Sequence, residues 1–296
     1  MMKIVWCLTL FFFSASVQAL TLTDDSGQAV HLPAPAQRII TLTPHATELM
    51  FAVGAGQQVV GAVDYSDYPA AAETIPRVGG YSGLNIEAIL ALQPDLIIYW
   101  PEGNPAREIQ RLQQLNLPLF ASDPNSFSDI MQSLRRFGEL SGHPRQGVAA
   151  AQAFQQRLSG LQQRYQQTRP VSVFYQVWHQ PLVTQSGDTF ISRVLELCGG
   201  ENIFADLPMR SPQISEEAVL AENPDVIIAS GMAAERPEWL DYWRRYPHLN
   251  AVKHNHLYHV HPDLLHRPTP RLLDGAEQVC GILEQVRQSP GTSVQR

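Results

Sequence analysis

Residues Asn85 to Trp100 read NIEAILALQPDLIIYW, and residues Ser215 to Ser230 read SEEAVLAENPDVIIAS. The two stretches align without a gap and share an acidic residue, a Pro-Asp pair and an Ile-Ile pair. Each begins with a good helix N-cap, and its proline ends the helix before an apolar run that suits a strand covered on both faces. The repeat predicts two equivalent α/β lobes; a chance similarity between two helix-turn-strand units is the alternative.

The order of predicted elements indicates two Rossmann-like lobes with parallel sheets, because short connections between strand, helix and strand favour right-handed parallel crossovers. We expect an N-terminal lobe at 20–142 and a C-terminal lobe at 169–288. Between them, 143–168 has apolar residues at helical spacing and no interior proline, which predicts one long rigid connecting helix. The last segment, 289–296, is rich in Ser, Gly and Pro and is expected to be disordered.

The N-terminal segment, 1–19, has the features of a secretory signal peptide. Lys3 precedes an apolar core from Ile4 to Phe13, and Val17-Gln18-Ala19 forms a small-residue cleavage site. The apolar stretch is too short to predict a membrane span with confidence. We therefore expect export to the periplasm with cleavage near Ala19.

Cleavage would remove one of the three cysteines and leave Cys198 and Cys280. An even number of cysteines in an exported chain favours a disulfide, with two buried free thiols as the alternative. The bond would tie the last helix to the second lobe.

The composition excludes some classes of partner. The chain is 44% hydrophobic, carries a formal net charge of −7 and has no basic cluster. Such a chain is not expected to bind nucleic acid or an anionic membrane surface.

Aromatic and polar residues follow the predicted strands, and in open α/β sheets ligands bind outside the carboxyl ends of the strands. Two facing lobes would gather these residues around one cleft. Each has a structural alternative, because aromatic side chains also fill cores, and Trp178 would equally cap the core of the second lobe. The candidates for ligand contact are Tyr65, Tyr81, Trp100, Trp178 and Asp263.

Six of the ten histidines fall between His248 and His266, some at the alternating spacing that puts two imidazoles on one face of a strand. A metal site is conceivable there, yet Asp263 is the only carboxylate in the segment, so surface histidines are the preferred interpretation. There is no G-x-S-x-G motif, and no enzyme activity is expected.

Three stretches resemble the periplasmic cobalamin-binding proteins of ABC importers: IITLTPHATELMFAVGAGQQVVGAVDYSDYP, VGGYSGLNIEAILALQPDLIIYWPEGN and VLELCGGENIF. The resemblance implies two lobes joined by a rigid helix, with cobalamin held between them as a transported ligand rather than a cofactor. It also implies a disulfide at Cys198 and Cys280, and delivery to the permease subunits of an inner-membrane ABC transporter by a monomer. A haem or iron-siderophore binding protein of a related importer is the alternative.

The resemblance also carries over to single residues. Val183 and Ser211 depart from the pattern, since the best-known member has aromatic contacts at these positions, and Trp178 is the candidate to compensate in the less aromatic second lobe. The family's ligand contacts fall on Tyr65, Tyr81, Trp100 and Asp263.

Glu87 and Glu217 hold the same position in the two repeats, in the first turn after the helix cap. An acidic residue there stabilises its own helix by about 0.3 to 1 kcal/mol through the helix dipole. The resemblance implies a second task, in which the two carboxylates dock onto arginines of the two transporter subunits.

Overall fold

The computed structural model describes residues 19–231 and 235–289. The predicted signal peptide, except for Ala19, and the predicted C-terminal tail, except for Ser289, lie outside the described residues. No helix within the described ranges is long and apolar enough to cross a membrane.

The first half of the chain contains an antiparallel hairpin followed by a parallel sheet with the strand order β4-β3-β7-β8. Its strands are β1 (Leu20–Thr23), β2 (Ala29–Leu32), β3 (Ile39–Thr41), β4 (Val59–Ala62), β5 (Gly79–Gly80), β6 (Gly83–Leu84), β7 (Leu96–Tyr99) and β8 (Leu119–Ala121). Its helices are α1 (Pro44–Ala52), α2 (Ile86–Ala91), α3 (Ala106–Gln114) and α4 (Phe127–Leu140), with 3-10 helices at Gly56–Gln58 and Ala70–Thr74.

The second half follows helix α5 (Pro144–Tyr165) and has a second parallel sheet with the order β12-β9-β13-β14. Its strands are β9 (Val171–Gln176), β10 (Trp178–His179), β11 (Leu182–Val183), β12 (Gly200–Asn202), β13 (Val226–Ala229) and β14 (Leu257–His259). Its helices are α6 (Phe190–Leu197), α7 (Glu216–Glu222), α8 (Asn250–Lys253), α9 (Pro262–Leu265) and α10 (Leu272–Gln288), with a 3-10 helix at Glu238–Arg245.

Both sheets place their strands in the order second, first, third, fourth, so the two-lobe parallel fold predicted from the repeat is confirmed. Strands β7 and β13, which come from the repeated stretches, hold the same place in their sheets. Leu96, Ile97 and Ile98 are fully buried, as are the four residues of β13. Burying each large aliphatic side chain contributes roughly 1.5 to 3 kcal/mol, so both strands stabilise the centre of a lobe.

The repeated helices begin and end in the same way. The side chain of Asn85 accepts a hydrogen bond from the Ala88 backbone N–H (3.0 Å), and Ser215 accepts one from Ala218 (3.2 Å). Each helix is followed by a residue with positive φ directly before the proline, because a residue before proline avoids the right-handed helical region.

The aspartate after each proline fixes the repeat to the first strand of its lobe. Asp95 donates its backbone N–H to the Arg38 carbonyl (2.9 Å), and its carboxylate accepts the Arg38 N–H (2.9 Å). Asp225 makes the same pair of contacts with Ser172, at 3.0 and 3.2 Å. These bonds set the register in which β7 joins β3 and β13 joins β9.

Helix α5 runs between the two sheets and lies closely against α4. A side chain on Gly138 would meet the Gly147 Cα at 2.9 Å and the His143 carbonyl at 2.8 Å, so glycine lets the two backbones approach. Toward the second lobe, the Arg157 guanidinium on α5 binds Asp274 (2.7 Å) and Glu277 (2.9 Å) at an exposed surface. The helix is therefore packed more intimately against the first lobe than the second.

The disulfide predicted between Cys198 and Cys280 is formed, and both residues are fully buried. It joins the end of α6 to the middle of α10. The last helix is thereby covalently held to the second lobe, as the sequence indicated.

Candidate ligand-binding cleft

The carboxyl ends of the two sheets are brought together by the loops that follow their strands. Arg267, which follows β14 in the second lobe, binds Glu48 on α1 (2.9 Å) and Asp67 after β4 (2.8 Å). Its other amino group binds Asp263 of its own lobe at 2.8 Å. One arginine thus links carboxylates of both lobes.

Further contacts reach Glu48, which is only 4% exposed. Its carboxylate accepts hydrogen bonds from Arg271 (3.1 Å) and from the Thr269 hydroxyl (2.9 Å), both in the second lobe. Burial raises the pKa of Glu48, and hydrogen bonds and charge from Arg267 and Arg271 oppose that rise. This network closes one side of the space between the lobes.

A second contact between the lobes lies among other strand-end loops. Arg210 of the second lobe approaches Glu102, which follows β7, at 3.3 Å and the Asn125 side chain, which follows β8, at 3.2 Å. Because every lobe-one partner of Arg210 and Arg267 lies beyond the carboxyl end of a strand, the space between the two networks is a cleft bordered by both sheet edges.

Tyr81 and Trp100 line one open, shallow depression at the edge of the first sheet, together with Asp64 and Asn104. The Trp100 indole N–H donates to Asp123 (2.9 Å), and its backbone N–H donates to the Asn104 side chain (2.7 Å). A fixed indole and an exposed phenol therefore share a wall of the cleft.

Glycines determine how these two rings are presented. Tyr81 and Ser82 form the turn between β5 and β6, and Tyr81 is 70% exposed. A side chain at Gly80 would collide with the Asp64 carboxylate, and one at Gly103 would collide with the Trp100 ring. Close packing at both glycines holds the tyrosine hairpin and the indole in place.

Tyr65, 66% exposed, comes directly after Asp64 and has a φ of 63°. This left-handed conformation is uncommon for a bulky residue, and strained residues of this kind cluster at functional sites. In this backbone conformation the Tyr65 ring remains exposed to solvent.

Trp178 lies beyond the end of β9, in the hairpin formed by β10 and β11. Its indole N–H donates to the Gln180 carbonyl (3.0 Å), and its strand partner is Val183. Directly opposed residues on antiparallel strands place their side chains on the same face. Trp178 therefore stands beside the position at which the family pattern has an aromatic residue and this chain has valine.

Two residues near Trp178 were missed by the sequence interpretation. The His179 ring lies 5.1 Å from Trp178 and stacks on Trp239 at 5.4 Å with an interplanar angle of 11°. Trp239 belongs to the 3-10 helix after β13, so its proximity depends on tertiary folding and has no local signal in the sequence. The second lobe consequently presents more aromatic surface than Val183 and Ser211 suggested.

Asp263, predicted to contact the ligand, is held by Arg267 and is partly accessible. Arg267 is the functional candidate that the sequence interpretation underestimated. Its signal was a spacing of four residues from Asp263, which favours an ion pair where the chain turns helically.

At least one histidine of the segment from His248 to His266 makes structural hydrogen bonds. His256 is bonded at one nitrogen to the Asp225 carbonyl (3.0 Å) and at the other to the Ser289 hydroxyl (3.1 Å). Across the described residues, no group of three or more His, Cys, Asp or Glu side chains could hold a metal ion.

Glu87 and Glu217 are both exposed in the first turns of α2 and α7. The neighbouring Glu216 instead accepts hydrogen bonds from Tyr242 and Tyr246, which with Arg245 hold its pKa below the ordinary value despite some desolvation. The two matched glutamates thus lie on opposite lobes and face solvent.

A family model described as periplasmic binding protein matches residues 39–264. The chain belongs to the periplasmic binding protein family. Members of this family are substrate-binding proteins, and the match spans both sheets and the helix between them.

Curated relatives of this periplasmic binding protein match most of the chain. A protein of Vibrio parahaemolyticus named vitamin B12-binding protein is 36% identical over 288 residues, covering 97% of this chain and 99% of the relative. A protein of the same name from Vibrio cholerae is 41% identical over 252 residues, covering 85% and 91%.

Solved structures show the same architecture. The crystal structure of the periplasmic vitamin B12 binding protein BtuF of Vibrio cholerae has a TM-score of 0.78 and 40% identity, covering 86% of this chain and 99% of that one. The periplasmic heme-binding protein RhuT from Roseiflexus, in apo form, has a TM-score of 0.77 at 22% identity, covering 86% and 100%. The second likeness concerns the fold alone.

Proposed function

We propose that this protein captures cobalamin in the cleft between its lobes and delivers it to an inner-membrane ABC transporter. The observation that carries the proposal is the pairing of exposed Tyr81 with anchored Trp100 on one wall of the cleft. Flat aromatic surfaces suit the broad apolar faces of a corrin ring. The names of the relatives that match nearly the whole chain support this choice of ligand.

The charge of the cleft supports an uncharged ligand over an anionic one. Arg267 is matched by carboxylates of both lobes, and Arg210 approaches Glu102. An iron-siderophore with net negative charge would favour unmatched basic side chains. Cyanocobalamin carries no net charge and needs no such counterpart.

On the second lobe, we assign ligand contact to Trp178 and Asp263. The support for Trp178 is its position opposite Val183 in the hairpin. Asp263 is partly accessible, and its bond to Arg267 holds its carboxylate at the cleft edge. Tyr65 completes the set on the first lobe, where its exposed ring follows Asp64.

Calorimetric titration tests this assignment, with cyanocobalamin and haemin added separately to the mature protein. We expect one cobalamin per chain, and Tyr81→Ala and Trp100→Ala should each weaken binding by about 1 to 3 kcal/mol, the scale for losing a large side chain. Tyr242→Ala removes an exposed tyrosine outside the cleft and serves as the matched control. Unchanged affinity in both cleft variants would reject the site.

Glu87 and Glu217 are proposed to dock the two lobes onto arginines of the two permease subunits. Charge pairs of this kind chiefly set orientation and encounter rate. Glu87→Arg combined with Glu217→Arg should leave cobalamin affinity nearly intact and abolish transporter stimulation and uptake. The same charge change at Glu139 and Glu196, also exposed and one on each lobe, should leave uptake near normal.

Normal uptake by the Glu87 and Glu217 double variant at physiological salt would show that both residues only stabilise their helices.

The wider proposal is that the protein is a non-catalytic, monomeric carrier in the periplasm. It is divided into a lobe at 20–142, a connecting helix at 143–168 and a lobe at 169–288. The signal peptide at 1–19 would direct its export, with cleavage near Ala19.

A further inference from the structure

His266 is a cleft residue that the proposed set of ligand contacts does not use. It follows α9 in the loop beyond the carboxyl end of β14, and the residue as a whole is exposed. The next residue, Arg267, binds Glu48 and Asp67 of the first lobe. His266 therefore lies beside a contact between the two lobes.

One nitrogen of the His266 ring is fixed. Its Nε2 lies 2.9 Å from the hydroxyl of Tyr175, whose ring packs against the imidazole with centroids 6.3 Å apart. Tyr175 is fully buried in the core of the second lobe and offers a rigid anchor. The imidazole is thereby oriented through Nε2, and Nδ1 is the nitrogen that can bind a ligand.

The surroundings keep this pair uncharged near neutral pH. Desolvation lowers the pKa of His266 to about 4. Burial raises the pKa of the Tyr175 phenol, which remains protonated. When Nε2–H donates to the Tyr175 oxygen, Nδ1 carries the free lone pair.

This arrangement is the one that proteins use to prepare a histidine for a metal. A ligating imidazole usually donates its second ring N–H to a fixed acceptor, which sets the tautomer and the ring orientation. Neutral imidazole is a common ligand of transition metals. The metal in question would arrive inside the transported corrin ring, so the protein needs to supply only one ligand.

We propose that His266 Nδ1 binds the cobalt of corrinoids whose axial position is occupied by an exchangeable water, with Tyr175 as the positioning residue. This inference rests on the proposed function. In the exchange, the bond between Co(III) and the water oxygen breaks, a bond between cobalt and Nδ1 forms, and the water leaves. The oxidation state does not change, and no proton moves.

The proposal separates two kinds of corrinoid. Aquocobalamin has a labile water and would be held by aromatic contact and by the cobalt-nitrogen bond. Cyanocobalamin keeps its tightly bound cyanide and would be held by aromatic contact alone. The protein would therefore retain the aquo form more tightly, which makes the axial group a determinant of specificity.

Absorption spectroscopy of the full mature protein tests the proposal. Aquocobalamin mixed with the protein should change its spectrum toward that of aquocobalamin with free imidazole, and cyanocobalamin should keep its axial-ligand spectrum. His266→Ala should abolish the change and weaken aquocobalamin binding by at least about tenfold, the scale for disturbing a metal ligand set. Calorimetry should find its affinity for cyanocobalamin within about threefold of wild type, because the aromatic contacts remain.

Two further variants sharpen the result. Tyr175→Phe should reduce the spectral change while preserving cyanocobalamin binding, which a merely structural role would not produce. His248→Ala removes an exposed histidine at the far end of the second sheet, and it should behave as wild type.

The outcomes distinguish the inference from the function on which it rests. If cyanocobalamin binds and the aquocobalamin spectrum does not change, or if the change persists in His266→Ala, the assignment of His266 is wrong and the proposed function stands. If neither corrinoid binds, both are wrong.

Discussion

Replacing Glu48 with glutamine tests the buried charge network that joins the lobes. The change keeps the shape of the side chain and removes a carboxylate that accepts hydrogen bonds from Arg267, Arg271 and Thr269 at 2.9 to 3.1 Å. Removing one partner of a buried ion pair costs about 3 to 5 kcal/mol, because the remaining charges stay desolvated. Arg267 retains Asp67 and Asp263, and burial offsets part of the charge pairing because it raises the pKa of Glu48, so we expect a loss of about 2 kcal/mol, below that range.

Urea unfolding followed by circular dichroism measures the change in the free energy of unfolding. Asp67→Asn is the matched control, because Asp67 binds the same Arg267 amino group but is 45% exposed. Its loss should cost less than about 1 kcal/mol, as for other exposed ion pairs. If the free energy of unfolding of Glu48→Gln lies within about 1 kcal/mol of the wild-type value, the scale of an exposed ion pair, the network does not stabilise the contact between the lobes.

His45 is buried between Thr43 and Ser122, and desolvation lowers its pKa to about 3. Unfolded His45 takes up a proton below about pH 6.5 and the folded residue does not, so stability should be complete above pH 6.5 and fall by up to about 4 kcal/mol toward pH 3. His45→Gln should show a shallower acid dependence in urea unfolding at several pH values, and an unchanged slope would contradict this assignment. The helix Pro144–Tyr165 should allow only a small change in lobe tilt, so solution scattering of apo and cobalamin-bound protein should give nearly equal radii of gyration, whereas a difference of several ångströms would show that the connector bends.

The repeated stretches made the fold accessible from the sequence, because their caps, Pro-Asp turns and apolar strands are local signals. Asn85 and Ser215 cap their helices as predicted, and the long helix after Pro144 ends at Tyr165, close to its expected limit. The short hairpins could not be predicted, since two-residue strands leave no periodic pattern.

The candidate site was accessible only in part. Tyr81 and Trp100 could be predicted because they lie in glycine-containing loops near predicted strands, and the structure brings them to one depression. The stacking of His179 on Trp239 and the bond between Tyr175 and His266 join residues 60 and 91 positions apart. Such contacts arise from tertiary packing, so propensity and spacing cannot reveal them. The sequence assigned Asp263 a direct role at the ligand, and its bond to Arg267 emerged only in three dimensions.

The close approach of Gly138 and Gly147 fixes helix α5 along the first lobe. Any tilt of the second lobe must then be absorbed by the short segment 166–170, before β9 begins. A rotation of about 5° there would move a point one helix length away, roughly 33 Å, by about 3 Å. Even in a stiff protein, such a tilt would change the distance between Glu87 and Glu217. A transporter that binds both lobes would then respond to bound ligand through the change in that distance.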